Sequence, residues 1–434
     1  MKTPICDYVN QYAQSQALRL HMPGHKGAGP LGVEGLDITE ISGADSLYEA
    51  SGIIRESEQI ASEIFGCPTF YSTEGSSQCI RAMVYLAMIW AKRQGRKPVI
   101  AAGRNAHKAF LTAAALLDAD VCWLKGSGQD SYLSCGLTPA ELETAFAQQV
   151  ITAVYITSPD YLGNVADIKA LVQVCHRHDC LLLVDNAHGA YLRFLGQHPM
   201  ELGADLCCDS AHKTLPVLTG GAYLHTTEAL SGGVKDAMAL FGSTSPSYLI
   251  LQSLDACNAY LEHYGEKVRP YLTKMETLKG VLEAHGYRLY GNEPMKLTIC
   301  TKPYGYRGTE LAACLEARGV VCEFADPDYL VLMPTPETDL PRLEKALLDI
   351  PARPAICEKS PQCVECEQVM SVRQAALSPS RVLPVEQAIG RVLASPSVGC
   401  PPAVSIVLCG QRIDRNAAAA MGYYGITHCS VVEE

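Results

Sequence analysis

From about residue 60 to 230 the chain alternates between segments with helical apolar periodicity and short runs rich in β-branched and aliphatic residues. The pattern predicts helices over Ser77–Arg93, His107–Leu117, Thr138–Gln148 and Asp167–His178. Strands are predicted at Val99–Ala102, Val121–Leu124, Ala153–Thr157, Leu181–Asp185, Leu206–Asp209 and Ala222–His225. Strands this apolar, most of them separated by a helix, read as a mostly parallel sheet buried on both faces. That is an α/β three-layer domain, in which ligands gather outside the carboxyl ends of the strands. The polar residues that punctuate those ends are therefore the candidate site.

Beyond this block a long helical stretch, Tyr248–His285, leads to Lys296–Thr301, a helix at Gly308–Arg318, strands at Val320–Phe324 and Tyr329–Met333, and a helix at Leu340–Leu348. This order suggests a small α+β domain. Pro351–Cys366 is rich in Pro, Cys and charge and reads as a linker; Ser371–Leu377 and Val385–Leu393 then look helical, and Ala403–Leu408 looks like a strand. The expected organisation is an N-terminal segment (1–55), a large domain (56–285), a small α+β domain (286–350), a linker (351–370) and a C-terminal subdomain (371–434).

Composition narrows the class. At 434 residues, 48% hydrophobic and 19% charged, the chain suits a globular protein with a sizeable core in more than one domain. A net charge of −11 without a basic block argues against nucleic-acid binding. The start, MKTPICDYVNQYAQSQ, lacks the apolar core of a signal peptide, and stretches such as Ala82–Ala91 fall short of the ~20 residues that span a membrane. The 19 cysteines show no framework spacing, which favours reduced thiols and a cytoplasmic protein. Cys363 and Cys366 form a CxxC, and Cys175, His178 and Cys180 lie close together, but no second pair stands at zinc-ligand spacing, so no metal site is expected.

Four polar segments fall at the ends of predicted strands. In Asp209-Ser210-Ala211-His212-Lys213-Thr214, a lysine just after a buried strand can form an imine with an aldehyde, since desolvation favours its neutral, nucleophilic form. Alone, it would more often point to water. In Leu183-Val184-Asp185-Asn186-Ala187-His188, an aspartate at the end of a hydrophobic strand needs a cationic partner, such as a protonated pyridine nitrogen, or else caps the next helix. Ser72-Thr73-Glu74-Gly75-Ser76-Ser77 places small hydroxyl residues and a glycine at a helix N-terminus, which suits a phosphate or an ordinary cap. In Arg104-Asn105-Ala106-His107-Lys108, an imidazole could stack on an aromatic ring or be simply solvated.

In combination and in this order, the segments resemble the Orn/Lys/Arg decarboxylase family, enzymes dependent on pyridoxal 5'-phosphate (PLP). The matching residues are Leu20-His21-Met22-Pro23-Gly24-His25-Lys26-Gly27, Asp37-Ile38-Thr39-Glu40, Arg104–Lys108, Val184–Ala190, Ser210–Pro216 and Ser243-Thr244-Ser245-Pro246-Ser247-Tyr248. The resemblance implies the PLP-dependent transferase fold of type I: an α/β large domain with a mostly parallel sheet and a smaller α+β C-terminal domain. It implies Lys213 as the Schiff-base lysine, Asp185 as partner of the pyridine nitrogen, and His107 stacked on the ring. Ser76, Ser77, Ser210 and His212 become phosphate ligands, and His212 or Lys213 the proton donor at Cα. Thr244 and Ser245 are expected to reach the phosphate of a neighbouring subunit's cofactor, which implies a homodimer, and His188 should lie near the site.

Glu323 becomes the expected partner of the substrate's distal cation, as a partly buried carboxylate at the end of the strand Val320–Phe324, with Asp326 and Asp328 close enough to take that part. Two departures stand out. Glu74-Gly75-Ser76 replaces the family's Asn-Gly followed by Thr or Ser, which puts a carboxylate beside the expected phosphate. The resemblance is to the short form of the family, for which no N-terminal receiver-like domain is expected. The expected activity is decarboxylation of arginine, lysine or ornithine to the amine, a step of polyamine biosynthesis. The other readings are a PLP-dependent aminotransferase or lyase, or a non-catalytic protein on this fold.

Overall fold

The computed structural model describes residues 1–126, 131–363, 365–396, 399–400 and 404–433. In chain order its regular elements begin with α1 (Pro4–Gln14), α2 (Ile53–Phe65), β1 (Thr69–Ser72), α3 (Gly75–Arg93), β2 (Val99–Gly103), α4 (Lys108–Leu117), β3 (Asp120–Leu124), α5 (Pro139–Gln148), β4 (Ala153–Thr157) and α6 (Ile168–Arg177). They continue with β5 (Leu181–Asp185), β6 (Leu206–Asp209), α7 (Ala211–Thr214), β7 (Ala222–Thr226), α8 (Glu228–Ser231), α9 (Val234–Ala239), α10 (Tyr248–Leu261) and α11 (Tyr264–Ala284). The remainder comprises β8 (Arg288–Tyr290), β9 (Leu297–Cys300), α12 (Gly308–Glu316), β10 (Phe324–Ala325), β11 (Tyr329–Leu332), α13 (Leu340–Leu348), α14 (Val372–Ala376), β12 (Ser380–Pro384), β13 (Gly399–Cys400), β14 (Val404–Ser405), α15 (Arg415–Tyr423) and β15 (His428–Val432).

These elements form two compact units. The first comprises Met1–Arg96 and Leu181–Glu266, the second Lys97–Cys180 and Lys267–Glu434. The first unit holds the strands β1-β7-β6-β5 in that order, and the second holds β4-β2-β3. Pairing is parallel for β5 with β6, β2 with β3 and β2 with β4, and antiparallel where β7 lies between β6 and β1. Leu181–Asp185 and Leu206–Asp209, which pair in parallel, are buried throughout, as strands covered on both faces must be.

In the first unit α2 and α3 bury Ile54, Phe65, Met83 and Val84 together with Leu183, Val184, Leu206 and Leu224 of the strands. The second unit has a four-stranded antiparallel sheet, β10-β11-β9-β8, and a separate β12–β15 pair. One apolar cluster there joins Phe324, Tyr329 and Val331 to Tyr132, Leu162, Leu393, Ile406, Met421 and Val431, so the residues after 371 share their core with earlier segments.

Several expectations are corrected. Val320–Phe324 is not a strand; β10 covers only Phe324–Ala325, because Gly319 adopts a left-handed φ of +71° and Val321 faces solvent. Val385–Leu393 holds one short 3-10 turn, Val385–Gln387, and not a helix, being interrupted by Gly390 at φ +84°. The long helix 248–285 breaks between Leu261 and Tyr264. Of the strand expected at Ala403–Leu408, Val404–Ser405 is found, whereas Ala403 lies outside the described residues. No helix among the described residues is long and apolar enough to cross a membrane.

Candidate active site

The end of β6 sets the chemistry. Asp209 closes the strand and the chain turns at once into α7, so Ser210, His212 and Lys213 leave the sheet on a single helical turn. Lys213 Nζ lies 3.2 Å from His188 Nε2, which joins this turn to the segment after β5. His188 is buried, and Asp185, the last residue of β5, is 2% exposed. Asp185 Oδ1 accepts the Ala187 N–H at 3.2 Å and faces the Cys208 thiol at 3.6 Å. Since Asp185 and Cys208 are register partners on adjacent parallel strands, both project to the same face of the sheet.

The second part of the site is the N-terminus of α3. This 19-residue helix begins at Gly75 with Glu74 at its N-cap position and no side-chain cap. Its leading N–H groups are therefore not satisfied by a capping side chain, and the helix dipole favours an anion there. Ser76 and Ser77 occupy the first turn, and Ser210 Oγ donates to or accepts from Ser76 Oγ at 2.8 Å. Two hydroxyls from separate segments thus converge where the helix start and the lysine turn meet. Gly220 carries the contact: its φ is +102°, and a Cβ there would stand 2.9 Å from the Thr73 carbonyl oxygen. Its own carbonyl accepts the Gly75 N–H at 2.7 Å.

Glu74 is turned away from the helix start. Its Oε1 accepts the Ser243 N–H at 2.5 Å, so the carboxylate anchors the loop that leads to Thr244 and Ser245. Thr244 and Ser245 are exposed, and Ser245 N donates to Ser243 Oγ at 3.1 Å. Gly242 allows this loop to pass, because a Cβ there would collide with the Tyr48 hydroxyl. His212 Nδ1 lies 2.9 Å from the Gly221 carbonyl oxygen and can only donate to it, which fixes the tautomer of the neutral ring. The two early motifs also meet in this unit: Gly27 N donates to His25 Nδ1 at 3.0 Å, and His25 Nε2 pairs with Asp37 Oδ2 at 3.2 Å.

His107 and Glu323 belong to the second unit. His107 caps α4, its Nδ1 accepting the Ala109 N–H at 3.1 Å, while the neighbouring Arg104 is buried and donates to the Ile406 carbonyl at 2.9 Å. Glu323 is exposed, not partly buried as expected, because it precedes β10 on the solvent side. Its Oε1 accepts the Tyr161 hydroxyl at 2.9 Å, and burial followed by the Glu323 charge pushes the Tyr161 phenol up. Asp328 is engaged inside the unit by Lys302 at 2.7 Å, Tyr423 at 2.7 Å and Tyr424 at 3.1 Å. Tyr161 had no sequence signal, nor did the Glu74–Ser243 contact.

The residues of the first unit fit a phosphorylated pyridine aldehyde. A helix start without a side-chain cap and two converging hydroxyls suit the phosphate, a strand-end carboxylate suits the ring nitrogen, and a half-buried lysine suits the aldehyde. Solved structures carry the same architecture: the constitutive lysine decarboxylase of Escherichia coli superposes with a TM-score of 0.79 over 100% of this chain and 82% of its own, at 17% identity. Lysine decarboxylase A from Pseudomonas aeruginosa gives 0.81 over 98% and 76%, also at 17% identity. The fold is thus the α/β fold of type I, with its mostly parallel sheet.

The family model for the Orn/Lys/Arg decarboxylase major domain matches residues 3–285. The chain belongs to the Orn/Lys/Arg decarboxylase family and is an amino-acid decarboxylase acting on a basic amino acid. Among its relatives is an arginine decarboxylase of Halalkalibacterium halodurans, 28% identical over 96% of this chain and 92% of that protein. Another, the arginine decarboxylase of Bacillus subtilis, is 28% identical over 95% and 91%.

Proposed function

We propose that the protein is a PLP-dependent arginine decarboxylase with its cofactor on Lys213. The observation that carries this is the Lys213–His188 contact beside Asp185 and the Ser76–Ser210 hydroxyl pair, all within one unit. Arginine is placed before lysine and ornithine because the relatives aligned over nearly the whole length include several named arginine decarboxylase. Ser76, Ser77, Ser210, His212 and the start of α3 would hold the phosphate, and His107 would pack on the ring. Bound there, PLP supplies the electron sink that decarboxylation at Cα requires.

The chain's own residues decide which bond breaks. Asp185 would keep a proton on the ring nitrogen, since a buried carboxylate is stable only beside a cation or strong donors. Lys213 Nζ and His188 Nε2, 3.2 Å apart, are within proton-transfer reach of each other, so the ammonium can be relieved of its proton without solvent. The same lysine, or His212, would return a proton to Cα. Glu323, with Tyr161, would meet the guanidinium of the substrate.

A second copy of the chain is proposed as partner, in a homodimer. Leu18, Leu20, Met22 and Leu31 are 85%, 83%, 69% and 79% exposed, a run of large apolar side chains that a neighbouring subunit would cover. Thr244 and Ser245 on the Glu74-anchored loop would then serve the partner's phosphate. A cytoplasmic location would keep the buried thiols reduced, and the amine product would be a polyamine precursor.

The test is release of carbon dioxide from carboxyl-labelled arginine, lysine and ornithine by the PLP-loaded enzyme. Arginine should give the highest kcat/KM; turnover of lysine or ornithine at a higher kcat/KM would reassign the substrate. Keto-acid formation without carbon dioxide would replace decarboxylation by aminotransfer.

A further inference from the structure

Behind the lysine turn lies a polar cluster that the proposed reaction does not use. Asp209, 0% exposed, accepts from four side chains: Asn186 Nδ2 at 2.6 Å and the Cys207 thiol at 3.9 Å on Oδ1, and His198 Nε2 and His225 Nε2, each at 3.1 Å, on Oδ2. Both histidines are likewise 0% exposed. Strand geometry explains the grouping. Asp209 and Cys207 share a face of β6, and Cys207 is the register partner of His225 on β7. Asp185 and Cys208 project to the opposite face, so the cluster stands at the back of the sheet from the catalytic carboxylate.

His198, Cys207 and Asp209 bring three potential ligand atoms within 4.8 Å of one another, but their hydrogen bonds argue for a network and not a metal. Met200 N donates to His198 Nδ1 at 3.4 Å, which leaves the proton of the neutral ring on Nε2, pointing at Asp209. Burial keeps the Cys207 thiol protonated, Asp209 adding to that push. His225 Nδ1 is occupied by Thr69 Oγ1 at 2.9 Å, and Phe65 packs 4.6 Å from the His225 ring and 5.7 Å from His198. Although burial pushes Asp209 up, His198 and His225 hold it below the usual carboxylate range.

The ends of β5 and β6 meet in this carboxylate. Asn186 directly follows Asp185; its N–H donates to the Cys208 carbonyl at 3.0 Å and its carbonyl accepts the Gly189 N–H at 2.7 Å, next to His188. Asp209 directly precedes Ser210, whose carbonyl accepts the Lys213 N–H at 2.9 Å. A single charged group therefore fixes the backbone that carries Asp185 and His188 to the backbone that carries Ser210 and Lys213. We propose that Asp209, held by His198 and His225, is a positioning residue that sets Lys213 and His188 against Asp185 through Asn186. This rests on the reading of Lys213 as the cofactor-bearing lysine.

The test uses Asp209→Asn, His225→Gln and Asn186→Ala in the full chain, with three readouts. In the cofactor-free protein, amide hydrogen exchange at residues 185–189 and 210–214 should accelerate at least tenfold in each variant. In the PLP-loaded enzyme, the pH midpoint of the visible band of the lysine–cofactor linkage should move by half a unit or more. For the basic amino acid, kcat should fall at least tenfold with KM within threefold. Native thermal unfolding combined with wild-type exchange, band midpoint and kcat would overturn the proposal. So would a lower melting temperature with those three readouts unchanged, which is what a merely structural cluster gives. If Asp209→Asn does not fold, Asn186→Ala decides alone, since it cuts the link while leaving the carboxylate and both imidazoles. A wild-type enzyme without the band would instead remove the Lys213 reading, and this one with it.

Discussion

Asp209 in the first unit and Asp326 in the second are both strand-end aspartates removed from water, 0% and 5% exposed. Their surroundings are opposite. Asp209 receives two imidazoles and an amide on its two oxygens, and its pKa lies below the usual range despite burial. Asp326 receives the Asp328 and Tyr329 N–H groups on Oδ1, both at 2.7 Å, while Oδ2 is buried with no hydrogen-bond partner among the described residues. Burial pushes its carboxyl up to about 7, against the pull of those two N–H groups. The pair shows that burial alone does not set the charge of a carboxylate; the donors around it do. In the first unit the end of β6 is surrounded by donors, one residue before the turn that carries the proposed cofactor lysine.

The largest expected effect concerns the turn that Asp209 supports. Lys213→Ala should abolish the borohydride-reducible cofactor adduct and lower kcat by more than about a thousandfold, the scale of losing a nucleophile that also moves protons. Retained adduct with wild-type turnover would remove Lys213 from the site. Next comes Asp185→Asn, measured by kcat against cofactor content. Breaking a buried charge pair costs about 3–5 kcal/mol, a hundredfold or more in kcat, whereas PLP retention should change little because the phosphate contacts remain. Unchanged turnover with collapsed occupancy would make Asp185 a structural residue.

Asp326 tests the other side of the contrast. A folded-state pKa of about 7 lies above the ordinary aspartate value, so between about pH 4 and pH 7 the folded protein binds the extra proton. Stability therefore falls as pH rises through that window. Asp326→Asn keeps the oxygen for both N–H groups and carries no charge to desolvate. From pH 5 to pH 8 its unfolding free energy should drop less than wild type, by on the order of 2 kcal/mol in denaturant titrations. Equal slopes would mean that Asp326 is ionised and satisfied. The smallest effect belongs to Glu323. Being exposed, its pairing with a cation is screened and worth about 1 kcal/mol or less, so Glu323→Gln should lower kcat/KM for arginine by less than about tenfold. A loss above a hundredfold would show that Glu323 is desolvated when substrate binds.

Much of this was legible in the sequence, for identifiable reasons. Strands β4, β5 and β6 have the bounds their apolar runs indicate, because turn residues end each run sharply. The first unit brings together residues that the motifs singled out separately, Lys213 with His188 and Ser76 with Ser210. The second unit was harder. Strands of two residues, such as β10, carry no periodicity, and β12 with β15 pair across about fifty residues of chain. The back-of-sheet cluster was invisible for another reason. His198 stands in a loop, and only antiparallel pairing places His225 beside Cys207, so their approach to Asp209 is a property of the fold. The Glu74 substitution, which looked hostile to a phosphate, is accommodated by the Ser243 N–H.

The most direct measurement is to reduce the PLP-loaded enzyme with borohydride, digest it, and locate the cofactor by peptide mass spectrometry. One modified peptide is expected, with the pyridoxyl group on Lys213. A pyridoxyl group on any other lysine, or an enzyme that decarboxylates arginine while carrying none, would contradict it.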